Sequence, residues 1–268
     1  MSLKKNLKLI EMPSRISFAI LDFCYSDQNF EDDRTLFYFN EEKLFHKISQ
    51  TGNPNLYMLV FLCRIMDQTE QIYKKQWISD KIFVDSMKDL TIWAESYFER
   101  TQTYGVDQWH WLALTMKGKV FRLGRLQFEP KLLTEAITKG NDHFSIGTKY
   151  LKIHIPAGNH LSNGLVSDSL KQASEHWLDY QIGICESWLL APALIKILSS
   201  NSNILQFQRR FILLNTDLHN KQAEERIFNF VQDIKHYPAQ TSLQKKAQSF
   251  LLSGKKIGTA KGYLFLKS

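Results

Sequence analysis

The hydrophobic rhythm of the chain changes near its middle. Up to about residue 117, apolar side chains recur at intervals of three and four, the spacing that keeps one face of a helix dry. Phe83, Met87, Leu90, Ala94 and Tyr97 are the clearest case and predict a helix over 80–100. The same reading gives a short helix over 41–50, a longer one over 56–73 after the Gly52-Asn53-Pro54 break, and another over 107–116. Residues 14–117 thus read as helical. No carboxylate or histidine spacing there suggests a metal or an acid–base pair, so the half reads as structural.

At Lys117-Gly118 the texture shifts to shorter, alternating runs. Val120–Glu129 mixes β-branched and aromatic residues with arginines and predicts a strand or hairpin arm closed by Pro130. In 151–155, Leu151, Ile153 and Ile155 alternate with Lys152 and His154, which is strand periodicity. A loop with Gly158, Asn159, Ser162, Asn163 and Gly164 follows, and then Val166, Leu170, Ala173 and Trp177 at helical spacing. Strands are also predicted over 183–190, 203–214 and 226–232, a short helix from Pro192 to Leu198, a helix over 241–253, and an edge strand over 263–266. This order argues for an α+β or α/β layer with a largely covered sheet. The strand–loop–helix unit at 151–170 is the stretch with chemical potential, because a helix that starts after such a loop presents unpaired amides and a positive dipole end to an anion.

Charge sharpens the picture. The 268 residues carry a net +7. Residues 1–117 hold 14 Lys and Arg against 16 Asp and Glu, whereas 118–268 hold 20 against 11, so the two parts stand at −2 and +9. A basic second half suits a polyanionic ligand, either nucleic acid or a phosphorylated cofactor. The basic residues are dispersed and no nucleic-acid-binding signature accompanies them, which argues against nucleic acid. No run of about 18 apolar residues is present, so no membrane span is predicted, and the N-terminal stretch does not read as a signal peptide. Cys24, Cys63 and Cys185 are odd in number and scattered, which predicts free thiols in a reducing cytoplasm. The histidines and cysteines show no metal-ligand spacing, so no metal site is expected.

Four ordered motifs carry a family resemblance: FRLGRLQFE at 121–129, IHIPAG at 153–158, SWLLAP at 187–192 and SNILQFQRRF at 202–211. They resemble a bacterial family of acyltransferase-domain proteins. In that family a helical N-terminal domain precedes a domain like the Gcn5-related N-acetyltransferases (GNAT). The resemblance implies an α+β chain with a helical domain over 1–117 and a GNAT-like mixed sheet with flanking helices over 118–268. It further implies a coenzyme A-dependent N-acyltransferase that moves the acyl group of acetyl-CoA or another acyl-CoA directly to a small-molecule or peptide amine. A catalytically inactive GNAT-like module for ligand or protein binding is the alternative.

In such a fold the two strands at 151–155 and 183–190 splay to admit the pantetheine arm, and the loop between strand and helix cradles the pyrophosphate. The implied cofactor residues are Ile155, Ala157, Gly158, Asn159, His160, Ser162, Asn163 and Gly164. The common loop has Gln or Arg, two residues, Gly, one residue, then Gly or Ala. Here five residues separate Gly158 from Gly164, which implies a different loop path. Pro156 also removes an amide near the place of the usual carbonyl-polarising donor. Glu129, His154 and Glu186 are the candidates for the acceptor of the amine proton, each on or at the end of a strand near the implied cleft. Structural alternatives are ion pairs of Glu129 with Arg122 or Arg125, and of Glu186 with Arg209 or Arg210. Ser187 lacks a G-x-S-x-G setting, and Cys185 lies in an apolar run that favours inert burial.

Overall fold

The computed structural model describes residues 3–156 and 160–267. The chain forms two compact units, 1–123 and 124–268.

The first unit is helical: α1 (Leu3–Leu9), α2 (Ser14–Asp22), α3 (Asp27–Phe39), α4 (Glu41–Ser49), α5 (Pro54–Lys75), α6 (Asp80–Thr101) and α7 (Trp109–Met116), ending in a short strand β1 (Phe121–Leu123). The start of α5 follows from its sequence. Pro54 needs no amide partner in the first turn, and the Asn53 side chain accepts from the Leu56 amide. Nearly every residue from Leu56 to Met66 is buried, so α5 is the axis of the unit. Tyr73, near its end, packs edge-on against Phe83 and Phe121 and sets its hydroxyl 3.2 Å from the carbonyls of Thr115 and Val120. Among the described residues no helix is long and apolar enough to cross a membrane.

The second unit contains β2 (Leu126–Leu132), β3 (Ile137–Lys139), β4 (Asp142–Phe144), β5 (Lys149–His154), α8 (Asn163–His176), β6 (Ile182–Ser187), α9 (Leu194–Ile197), α10 (Asn203–Gln208), β7 (Ile212–Asp217), α11 (Gln222–Phe228), α12 (Ser242–Leu252) and β8 (Thr259–Phe265). Its mixed sheet runs β2-β5-β6-β8-β7, with β5 and β6 parallel and the other neighbours antiparallel. Helix α8 is the crossover that parallel pairing requires. It packs over β2 through its buried face of Val166, Ser169 and Ala173. The Ser169 hydroxyl accepts from the Arg125 amide at 2.8 Å and so fixes the turn that opens β2. On the other sheet face lies the β3–β4 hairpin, where Leu133 and Phe144 pack on Ile182, Ile184 and Tyr263. Asp142 accepts a 2.5 Å hydrogen bond from the Tyr263 hydroxyl. The helices after β6 close on a core of their own, in which Tyr237 stacks flat on Phe228.

Several sequence expectations change. Residues 203–214 are not one strand: α10 occupies 203–208, capped by Ser202 onto the Ile204 amide, and β7 starts only at Ile212. Leu205 and Phe207 are buried in either conformation, but Gln208 is buried too and donates to the Ala191 carbonyl at 2.8 Å, which breaks the assumed alternation. Residues 226–232 form no strand: 226–228 are the end of α11, Asn229 caps it in the left-handed conformation, and the paired phenylalanines part, Phe228 inside and Phe230 outside. The last strand begins at Thr259 and lies inside the sheet, between β6 and β7, rather than at its edge. Pro130 does not end β2, which continues to Leu132 opposite Lys149. The strand over 183–190 stops at Ser187 and a single turn covers Trp188–Leu190.

Two glycines flank the approach to β8, and their surroundings differ. Gly254 and Gly258 both have positive φ, +79° and +69°. A Cβ at Gly254 would meet nothing, whereas at Gly258 it would overlap the Asp217 carbonyl and come within 2.8 Å of Leu218 Cα. Gly254→Ala is therefore expected to cost about 1 kcal/mol from backbone conformation alone, and Gly258→Ala about 2–4 kcal/mol once the overlap is added. Urea unfolding of the two variants checks the difference, and equal losses would show that the strand entrance yields freely.

Candidate active site

Strand β5 is held unequally on its two sides. Toward β2 it pairs along its whole length, from Lys149 opposite Leu132 to His154 opposite Gln127. Toward β6 the parallel ladder consists of Tyr150–Ile182, Leu151–Gly183 and Lys152–Ile184 only. Strand β6 nevertheless continues to pair with β8 as far as Ser187 opposite Ala260. The two central strands are thus joined at their starts and part beyond Lys152 and Ile184. Ile153 and His154 border the opening on one side, and Cys185, Glu186 and Ser187 on the other. Pro156, just past β5, has no amide to extend the ladder.

Alternation puts His154, Lys152 and Tyr150 on the same sheet face as Gln127, Glu129 and Lys131 of β2, Ile182, Ile184 and Glu186 of β6, and Lys261 and Tyr263 of β8. This face divides in two. Around Ile182, Ile184 and Tyr263 it is apolar and covered by the β3–β4 hairpin. Past Lys152, beside the opening, it is charged.

His154 and Glu129 are diagonal neighbours two positions off register, His154 lying opposite Gln127 and Glu129 opposite Lys152, and their side chains meet at 3.0 Å, Nε2 to Oε2. The other oxygen of Glu129 is 2.9 Å from Lys131 Nζ. Glu129 is only 7% exposed. Burial by itself pushes its carboxyl up, but the hydrogen bonds and charges of His154 and Lys131 outweigh this and hold it down at about 2. An ionised carboxylate only accepts, so Nε2 of His154 donates to Glu129, and in the neutral form of such a ring the lone pair belongs to Nδ1. Of the arginines considered for Glu129, Arg122 pairs with Asp89 and Arg125 donates to the Pro156 carbonyl at 2.8 Å. Glu186 is exposed, and among the described residues it pairs with neither Arg209 nor Arg210. Cys185 is fully buried, and burial pushes its thiol up to about 12, which leaves it unreactive.

On the cofactor side, Ile155 is half-buried and His160 exposed, while Ala157, Gly158 and Asn159 lie outside the described residues. Ser162 is the N-cap of α8 and accepts from the Leu165 amide at 3.4 Å. The amides of Asn163 and Gly164 belong to the first turn, whose donors the helix itself cannot satisfy. That turn contains no acidic residue. It carries instead the guanidinium of Arg210, whose Nη2 bonds the Asn163 side chain and carbonyl and, at 2.7 Å, the Ser167 hydroxyl. This donor set fits an anion.

Two participants were not legible beforehand. Lys131 stood beyond a supposed strand end at Pro130, yet its spacing of two from Glu129 is the signal of a shared strand face. Arg210 was placed in a strand that is in fact a helix and turn. In the helical unit Glu41, Glu42 and His110 bring possible ligand atoms within 4.8 Å of one another, but Glu41 is already ion-paired to Lys117.

Residues 120–264 match the family described as GNAT-like C-terminal domain, and residues 1–118 match the N-acyltransferase N-terminal domain. No curated protein matches the sequence. Among solved structures, an acyltransferase in complex with decanoyl-CoA and teicoplanin superposes with a TM-score of 0.79 at 18% identity, covering 98% of this chain and 87% of that one. An acyltransferase in complex with CoA and 10C-teicoplanin gives 0.80 at 18% identity with the same coverage. One with decanoyl-CoA gives 0.77 at 20% identity, covering 97% and 86%. At this identity the likeness establishes an acyltransferase fold. With the GNAT-like domain spanning more than half of its length, the chain belongs to the family of GNAT-like C-terminal domain proteins.

Proposed function

We propose that the protein is a coenzyme A-dependent N-acyltransferase whose donor is acetyl-CoA or another acyl-CoA and whose acceptor is a small-molecule or peptide amine. The observation that carries this reading is the parting of β5 and β6 with the His154–Glu129 pair on its edge. Two parallel strands that separate leave backbone N–H and C=O groups without ladder partners, and these suit the extended, amide-containing pantetheine arm. The first turn of α8, with Asn163, Gly164 and Arg210, suits its pyrophosphate. The relatives with decanoyl-CoA and CoA bound support the same donor class. Residues 118–268 would carry the site, and free Cys24, Cys63 and Cys185 favour a cytoplasmic location.

The amine nitrogen bonds to the thioester carbonyl carbon, the C–S bond breaks, and coenzyme A leaves as thiolate. The proton that the nitrogen loses goes to Nδ1 of His154, and Glu129 positions the ring and stabilises the imidazolium. Lys131 keeps Glu129 ionised. Glu186 faces His154 across the opening, at the matching place on β6. The second reading, a GNAT-like module that binds without turnover, is favoured by Pro156 and by the wide Gly158–Gly164 spacing.

Acetyl-CoA at up to millimolar concentration is expected to raise the melting temperature, and Arg210→Ala to weaken its binding about tenfold. His154→Ala should lower kcat with an accepted amine by about 10²–10⁴ while leaving the donor-induced shift intact. No shift with any acyl-CoA and no competition by coenzyme A would remove the donor assignment. A shift with no thiol release from any amine would select the binding module.

Glu129 makes stability depend on acid. Its carboxyl is held down at about 2 from an ordinary 4.5, so its contribution is complete above about pH 4.5 and is lost as the pH falls toward 2. Glu129→Gln should flatten that part of the stability profile by about 3 kcal/mol at most. Urea unfolding at stepped pH between 6 and 2 measures it, and parallel profiles for the two proteins would contradict the assignment.

A further inference from the structure

Because His154 lies on the hairpin side of the sheet, an amine that gives it a proton must approach from that side; α8 covers the sheet from the other. Along this approach three charged side chains surround the end of the β5–β6 ladder. Lys152 stands at its last pair, opposite Ile184. Glu186 lies two residues farther along β6, about 7 Å on, and directly opposite Lys261 of β8. Cross-strand neighbours of opposite charge ordinarily pair. Among the described residues, however, Lys152, Glu186 and Lys261 have no ion-pair partner, although on the same face Glu129 is bound by both His154 and Lys131. The apolar half of the face ends at Ile184 under the hairpin, so these charges are confined to the opening.

We propose that the acceptor is a primary amine that also carries an anionic group. Glu186 receives its ammonium before proton loss, and Lys152 and Lys261 receive the anion. The two lysines and one carboxylate sum to +1, which complements an amino phosphate of net charge about −1, tolerates a zwitterion and disfavours a purely cationic amine. Glu186 then holds the nitrogen on the side of the opening that faces His154. The inference rests on the reading of the opening as an acyl-transfer cleft.

The test compares three amines of one size, ethanolamine, β-alanine and O-phosphoethanolamine, each with acetyl-CoA and with thiol release as readout. At least one of the two anionic amines is expected to exceed ethanolamine in kcat/KM by about tenfold or more, and which one does so separates carboxylate from phosphate recognition. Lys152→Gln and Lys261→Gln should erase most of that advantage through amine KM, leaving kcat and the acetyl-CoA melting shift in place. Glu186→Gln should raise KM for all three. If no acyl-CoA gives a shift and coenzyme A does not compete, the donor reading itself fails and this inference with it; if another acyl-CoA gives the larger shift, it replaces acetyl-CoA in all three assays. If acetyl-CoA binds but ethanolamine is equal or better, or none of the three is acylated, or the lysine variants leave the ranking unchanged, the acceptor class is wrong and the donor reading stands.

Discussion

A strand inside a sheet has two rows of backbone groups to satisfy, and β5 satisfies one row fully and the other only in part. Its ladder to β2 is complete, whereas its ladder to β6 stops after Lys152. Strand β6 cannot swing back to close the gap, because β8 holds it along its entire length. Backbone groups that lose a ladder partner are costly to bury unless another partner takes its place. The opening is therefore stable as a wet groove or with an extended polar ligand in it. The other features of the site take their meaning from this discontinuity. Helix α8 is the crossover that parallel pairing demands, so its first turn necessarily falls near the end of β5, next to the opening. The hairpin covers the sheet face where the strands are joined and leaves it bare where they part.

Buried carboxylates occur in both units, and the comparison shows what distinguishes a candidate site from a fold lock. Asp33 of the helical unit is fully buried and accepts from Tyr25, Tyr57 and Lys47 at 2.6–2.7 Å. Those contacts join α3, α4 and α5, and desolvation together with Asp33 pushes both tyrosine hydroxyls far up, so neither tyrosine trades protons. Glu129 is satisfied as completely, but one of its partners is an imidazole with a second nitrogen. Satisfying the carboxylate fixes which nitrogen donates, and in the neutral form of the ring it assigns the lone pair to Nδ1. A buried acid between a histidine and a lysine at a strand gap thus has a chemical use that a buried acid between tyrosines lacks.

The helical half was legible because its signals are local. The Gly52-Asn53-Pro54 break and the three-and-four spacing over 80–100 mark two helices, and in the structure Asn53 and Ser79 cap them. The strand–loop–helix at 151–170 was legible for the same reason. What failed was alternation without a partner strand to check it. Leu205 and Phe207 fit a strand or a helix equally, and the decision came from Ser202 as a cap and from the need of Gln208 for the Ala191 carbonyl, a contact seventeen positions away. The interior place of β8 between β6 and β7 is likewise a matter of topology that no local pattern encodes. At the site, Glu129 and His154 were named separately. Their meeting depends on the β2–β5 register, which no spacing within one strand reveals, whereas Lys131 is two positions from Glu129 on the same strand and is hidden only by ending that strand at Pro130.

The charge asymmetry that first suggested a polyanionic ligand acquires a narrower meaning. A basic surface that merely keeps a domain soluble spreads its cations over faces where water and acidic neighbours neutralise them. Here Arg210 is half-buried, with its guanidinium on the first turn of α8, and desolvation lowers its tendency to hold its proton. An arginine of this kind gains from an added anion more than an exposed one does, because the local dielectric is low and the hydration it would replace is already reduced. The helix end offers amides in the same place and no competing carboxylate. Charge, dipole and strand gap therefore favour the same end of the same unit, which is a stronger argument for a phosphate-bearing substrate than the net charge of +9 that first drew attention to it.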